Sequence, residues 1–384
     1  ADVYSHTGDQ ELKSAIDRVY DSAVNKKMYI TGAQGSYYHG MSSNLDPVEE
    51  AFGHDYELPS RVAYTETCAN IANAMFNYRL LNATGDSKYA DLMEQVMYNS
   101  GLSGANVDGT RFYYNNPLSR RDDGIINLGG TNITNNSASE RWLVHQCYCC
   151  PTSYVRTVAQ VHEWAYGMAD DSVWIHLYGP GDFETELKSG KISINQVTDY
   201  PWDGRVEITV NEAPSTPVTI NVRIPKWSRE ATVTHDGETK TFDTPQYYPI
   251  TKVFAKGEKI IVDMPMKVKL MRGHYLIEET KGMAAVMRGP VVYCLEQVDV
   301  KGDVRIDDIY LQRNVPYVPE NKKDLLNGLI TLTTQAKYVK GQKNDNLYEE
   351  LPEMAEDTVD VQLIPYYAWS NRGCCDMSVW LPVL

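Results

Sequence analysis

Positive charge, phenylalanine, histidine and long apolar runs are all scarce in this chain. Thirty-six Lys and Arg face 51 Asp and Glu, a formal net charge of −15. That balance argues against nucleic acid and against an anionic membrane surface as partners. No apolar run approaches the roughly 18 residues that a membrane-spanning helix needs. There is no short internal repeat and no low-complexity linker, so a solenoid or a tethered array is not expected. Neither a signal peptide nor an initiator methionine opens the chain, and the expectation is a processed or cut start, with the compartment left open. Six Phe stand against 27 Tyr and seven Trp. Rings with polar handles suit the faces and edges of sugars, although β-rich secreted proteins use them as well. With 384 residues and 42% apolar content, two or three domains with a large core are expected.

Cysteine is present in an unusual arrangement. Tyr64-Thr-Glu66-Thr-Cys68-Ala69 is followed about 80 residues later by Cys147-Tyr-Cys149-Cys150-Pro151, so four of the seven cysteines fall in two short segments. Adjacent cysteines rarely bond to each other, because the disulfide dihedral is hard to reach across one peptide bond. Thiolates sharing a small volume suit a thiophilic metal, and zinc accepts sulfur and carboxylate together. A Cys3Glu or similar zinc site is one reading; a redox pair, disulfides to distant cysteines and inert buried thiols are the others. Paired Cys-x-x-Cys knuckles are missing, which excludes a zinc ribbon, and the His-x-Glu with Pro-Cys-x-x-Cys of the nucleoside deaminases is missing too.

Residues 1–168 read as helical. Leu12, Ile16, Val19, Tyr20 and Ala23 form one stripe, and Cys68, Ile71, Ala72, Met75 and Phe76 another, in a helix that stops near Thr84-Gly85-Asp86. A further helix is expected over Lys88–Asn99, and a last one, marked by Val155, Val158, Ala159 and His162, beginning at Pro151. Between them lie a long loop (31–61), an extended piece over Arg111–Asn115 and a polar, exposed stretch over Ser119–Ser139. After Asp170-Asp171 the period changes to two. Val173–Tyr178, Lys191–Ile194, Val206–Val210, Val218–Ile224 and Lys259–Val262 read as strands of a β-sandwich (169–270), with a second β-module over 271–384. Glu66 and Cys68 fall at a helix start, where backbone entering its first turn lets residues two apart converge. Cys150 precedes a proline, which biases it away from helical geometry.

These segments resemble glycoside hydrolase family 127, the bacterial β-L-arabinofuranosidases, and its close relatives. Tyr29-Ile-Thr-Gly-Ala-Gln-Gly-Ser36, Glu50-Ala-Phe, Asp55-Tyr-Glu-Leu-Pro59, Glu66-Thr-Cys-Ala and Cys147-Tyr-Cys-Cys-Pro151 are similar to segments of that family. So are Pro201-Trp-Asp-Gly204, Arg223-Ile-Pro-Lys-Trp-Ser228, Arg288-Gly-Pro-Val-Val-Tyr-Cys294 and Pro365-Tyr-Tyr-Ala-Trp-Ser-Asn-Arg372. The resemblance implies an α+β multidomain fold, an (α/α)6 barrel followed by β-sandwiches. It implies zinc held by Glu66, Cys68, Cys149 and Cys150, with Cys149 as nucleophile, Glu50 as general acid/base and Tyr114 as a sugar contact in a retaining hydrolase of plant cell-wall carbohydrate. The other reading is a non-catalytic carbohydrate-binding or scaffold unit with a structural zinc site; a closed, buried site favours the scaffold, an open thiolate the enzyme.

The chain departs from the family in three places. It has room for only about the C-terminal half of a barrel, so the missing N-terminal half or an oligomer is expected to cover an exposed apolar face, and the chain alone is expected to turn over weakly or not at all. The approach to Glu50, His39 to Glu49, is longer than usual and makes Glu49 a rival acid/base. Cys374 and Cys375 replace a cysteine-free segment; buried thiols are the simpler reading and a second metal site the sharper one. His39, His54 and His145 read as ordinary loop histidines.

Overall fold

The computed structural model describes residues 1–42, 44–121, 141, 143, 148–339, 346–348, 350 and 352–384. Cys147, His145 and most of the expected polar stretch lie outside them. The described chain mixes helices with many strands and divides into two units: Ala1–Ile16 with Ala72–Met97 and Val155–Lys267, and Asp17–Ile71 with Tyr98–Tyr154 and Val268–Leu384.

Among the described residues five α-helices form: α1 (Asp2–Thr7), α2 (Gln10–Lys26), α3 (Thr67–Thr84), α4 (Ser87–Val96) and α5 (Cys149–Gln160). Gly85, at φ 69°, ends α3; Asp86 then caps α4 by accepting the Lys88 amide at 3.0 Å. The helix expected to reach Asn99 ends at Val96, and the chain continues through one wide π-type turn, Met97–Gly101. The buried face of α3 differs from the apolar stripe in the sequence. Asn70, Ile71, Ala74, Asn77 and Leu81 are buried while Ala72 is exposed. Asn70, Asn73 and Asn77 are all buried, and two of them donate to local backbone: Asn70 to Thr65 O at 3.1 Å and Asn77 to Asn73 O at 2.8 Å.

In the first unit, period-two sequence becomes two sheets. One runs, in spatial order, 238–242, 231–235, 259–263, 205–212, 190–197 and 181–187; the other runs 246–252, 218–224, 172–175 and 166–169. Ile192, Ile194, Val206, Ile208 and Val210 are fully buried at alternate positions, which gives each strand one core face. Val218–Ile224 is buried on both faces. There Arg223, fully buried, reaches Asp91 of α4 at 2.6 Å and also Glu94, which accepts from Trp227 Nε1 at 3.0 Å.

The second unit holds a two-stranded hairpin, β1 (Tyr37–Met41) and β2 (Pro47–Ala51), inside the segment expected to be a long loop. It also holds a large sheet in the order 268–271, 283–288, 291–300, 359–365, 329–338 and 309–310. A guanidinium supplies part of its core: Arg141 lies over the Tyr113 ring at 4.5 Å and donates to Trp369 O at 2.6 Å.

Candidate active site and metal centre

Two extended pieces of the second unit are fastened side by side. Glu66 bridges Asn115, the Thr67 amide donates to Tyr114 O at 2.9 Å, and Asn115 Nδ2 donates to Tyr64 O at 2.8 Å. The hydroxyls of Thr65 and Thr67 donate to Asn116 O and Tyr113 O at 2.7 and 2.8 Å. Gly104 is required here by close approach: a Cβ at that position would stand 2.5 Å from Thr67 Cγ2. This clamp leaves Glu66 extended immediately before α3 and Cys68 in its first turn, so both face one point.

The second pair of thiols comes from the start of α5. That helix begins at Cys149, two residues earlier than expected from Pro151, so Cys149 and Cys150 are in its first turn rather than in irregular backbone ahead of it. The proline is tolerated because amides of a first turn have no intrahelical partner to lose.

The four side chains meet. Glu66 Oε1 lies 3.5 Å from Cys149 Sγ and 3.6 Å from Cys150 Sγ; Cys150 Sγ lies 3.6 Å from Cys68 and 3.7 Å from Cys149. All four donor atoms fall within 4.8 Å of one another. A tetrahedral zinc with Zn–S near 2.3 Å and Zn–O near 2.0 Å would set S···S at about 3.8 Å and S···O at about 3.5 Å. The closest contacts in the cluster match those separations, and the sulfurs are free thiols. Electrostatics also favours a cation here. Burial, then the nearby Glu50 carboxylate, raises the Glu66 carboxyl above its ordinary value. The Cys68–Cys150 contact pushes Cys150 up while it lowers Cys68. A dication bound among these groups would favour the deprotonated carboxylate and thiolates that ligate it. The residues present therefore fit a zinc ion.

Exposure within the cluster is uneven. Cys150 and Glu66 are buried, Cys68 is half-buried and Cys149 is exposed. A closed structural site would hide all four.

Glu50, on β2 of the hairpin, is exposed and sits at φ 53°. Its Oε1 accepts from Tyr64 at 3.0 Å and from Tyr114 at 2.9 Å. Glu49 points elsewhere, accepting weakly from Tyr38 at 3.4 Å. Tyr64 was not singled out by sequence reasoning: a tyrosine two residues before a buried glutamate reads as core, and no spacing distinguishes it. Cys374 and Cys375 are half-buried, and Arg120 donates to Cys374. Among the described residues the only group arranged to hold a metal is Glu66, Cys68, Cys149 and Cys150.

Three family models match the chain in succession: the catalytic domain of the glycoside hydrolase family 127 (GH127) β-L-arabinofuranosidases over residues 1–163, the middle domain over 172–266 and the C-terminal domain over 268–382. A non-reducing end β-L-arabinofuranosidase of Bifidobacterium longum subsp. longum is 32% identical over 383 residues, covering 97% of this chain and 56% of the relative. A solved glycoside hydrolase aligns at a TM-score of 0.93 and 35% identity, over 100% of this chain and 64% of its own length. The GH127 β-L-arabinofuranosidase of Geobacillus stearothermophilus T6 aligns at 0.89 and 33%, over 99% of this chain and 58% of its own. The chain thus spans a little over half the length of these relatives. With matches to all three domain types in order along almost its whole length, the chain belongs to glycoside hydrolase family 127.

Proposed function

We propose that the protein is a retaining glycosidase acting on β-L-arabinofuranosides of plant cell walls, with Cys149 as nucleophile and Glu50 as general acid/base. The observation that carries this reading is that Cys149 is the most exposed member of a four-donor cluster in which Glu66 and Cys150 are buried and Cys68 is half-buried, in a unit that also presents an exposed, hydrogen-bonded glutamate. Glu66, Cys68, Cys149 and Cys150 would hold zinc, which when bound supplies the positive charge that keeps the thiols deprotonated near neutral pH. Cys149 sulfur then attacks the anomeric carbon while Glu50 gives its proton to the departing oxygen. In the second half Glu50 takes a proton from water, which displaces the sulfur with a second inversion. Tyr114, which donates to Glu50 at 2.9 Å, would contact the sugar.

The helices fit the role of part of an (α/α)6 barrel and the later strands that of β-sandwiches. Apolar residues on two helices are exposed, Val19 on α2 and Val155 and Val158 on α5, and we assign them to contact with further helical chain or a second copy. The structural-zinc reading, a carbohydrate-binding scaffold, requires Cys149 to be closed off, and its exposure speaks against it.

The test is zinc analysis together with hydrolysis of nitrophenyl glycosides by the complete protein. About one zinc per chain and turnover of the β-L-arabinofuranoside are expected. Cys149→Ser should abolish turnover for every leaving group. Glu50→Gln should slow it most for poor leaving groups; an unaffected Glu50→Gln enzyme would move the role to Glu49.

A further inference from the structure

The hydrogen bonds around Glu50 carry one more step, which rests on the reading of Glu50 as acid/base. Tyr64 and Tyr114 both donate to the same carboxylate oxygen, Oε1, at 3.0 and 2.9 Å. The hydroxyls lie close to each other, and the rings are 5.7 Å apart at a tilt of 55°. Among the described residues no hydrogen bond reaches Oε2.

A carboxylate oxygen has two lone-pair directions in its plane. With both taken by phenol donors, a proton on Oε1 would displace one of them, whereas a proton on Oε2 displaces neither. We propose that Tyr64 is a positioning residue: with Tyr114 it reserves Oε1 as acceptor, so that Oε2 carries the proton given to the leaving group and later taken from water.

Two further observations suit Tyr64 to this task. Its ring is 2% exposed and its backbone is fastened at both ends, its amide to Ser36 O at 3.2 Å and its carbonyl to Asn115. The hydroxyl is therefore a fixed post. Glu50, by contrast, is exposed, lies on a two-stranded hairpin and has a left-handed backbone conformation uncommon for glutamate. Its carboxylate would otherwise rotate freely, since the last torsion of a glutamate is broad and two-fold. A misoriented acid loses rate without losing substrate affinity.

The experiment compares Tyr64→Phe and Glu50→Gln in the complete, zinc-loaded protein on β-L-arabinofuranosides graded from nitrophenol to simple alcohols. Tyr64→Phe should lower kcat about tenfold for alcohol leaving groups, the worth of one hydrogen bond to a charged group. It should lower kcat several-fold less for nitrophenol, with KM and zinc content unchanged. Tyr114→Phe should show the same dependence on leaving group. An equal loss across the series, or a fall in zinc content, would make Tyr64 a packing residue and overturn the proposal while Glu50 keeps its role. If Glu50→Gln itself shows no dependence on leaving group, the acid/base assignment falls and the role of Tyr64 falls with it.

Discussion

Glu66 is the residue on which the cluster turns, because its Oε1 approaches both thiols of α5 from the start of α3. Its partner Cys68 gives the cleaner test, since it carries no catalytic role. Cys68→Ser should bring zinc well below one per chain and lower stability by several kcal/mol, because the energy of metal binding is folding energy; the same protein retaining a full zinc complement would remove Cys68 from the ligand set. The two segments stand out in the sequence for their crowded thiols and carboxylate, but the choice of these four residues, without Cys147, rests on the family resemblance. Tyr64 was not legible, because a buried tyrosine is common and only the fold brings its hydroxyl to Glu50. His176 marks a third kind of residue, silent in sequence and informative in structure. Its Nδ1 pairs with the Tyr247 hydroxyl at 2.6 Å, and burial holds its pKa at about 3, below the ordinary 6.5. The folded state thus takes up its proton only near pH 3 and the unfolded state near 6.5, so stability is lost as pH falls through that window, by up to about 1.4 kcal/mol per pH unit. Asp91, raised to about 6 by burial, acts with the opposite sign: its contribution is present below 3.8 and is lost as pH rises toward 6. The two therefore largely cancel between pH 4 and 6 in the native protein. Subtracting the stability of His176→Gln from that of the native chain isolates the histidine, and the difference should fall by about 3 kcal/mol between pH 6.5 and 4. A difference independent of pH would contradict the buried, neutral imidazole.

At the scale of elements, the period-two strands were legible and the helix faces were not. Strands such as 190–197 and 205–212 bury alternate aliphatics, so their pattern is written in one-letter code. Helix α3 buries Asn70, Asn73 and Asn77 instead, and the Asn70 and Asn77 side-chain amides donate to neighbouring backbone carbonyls that a periodicity count does not see. The hairpin carrying Glu50 was hidden for a related reason. Only Ala51 of β2 is buried, so no alternation announces the strand. What sets the start of α3 is likewise non-local: Gly104 gives Thr67 the space to lie against the Tyr113–Tyr114 backbone. Gly104→Ala should push Thr67 aside, at a cost of about 1–3 kcal/mol, and shift Cys68 relative to the α5 thiols. Weakened zinc affinity alongside a lower Tm is the expected outcome, read by chelator competition and thermal melting. Loss of stability with unchanged zinc affinity would mean that the α3 terminus does not set the geometry of the ligands.

For the whole molecule, the question is what Val19, Val155 and Val158 are for. Each belongs to a stripe that the helical period marks as core, and each is more than half exposed, at 60%, 59% and 51%. Single exposed aliphatics are ordinary on a protein surface. Under the proposal that these three, on the predicted core faces of two helices, meet further helical chain or a second copy, they would be covered in that assembly; the match to the Bifidobacterium longum protein covers 56% of that protein. Burying Val155 and Val158 against such a neighbour would contribute about 1.5–3 kcal/mol each, enough to help dock further helical chain onto α5. The 384-residue chain by itself should then bind zinc, since all four ligands are within it, yet bind a hydrophobic dye and hydrolyse β-L-arabinofuranosides weakly. Joining the further chain that its relatives carry should quench the dye signal and raise kcat/KM together. Replacing Val155 and Val158 by Ser should leave zinc content intact in the short chain and weaken the response to the added segment. Full turnover by the 384-residue chain, shown by light scattering to be a monomer, would mean that these valines face water by design and that the site is complete without a neighbour.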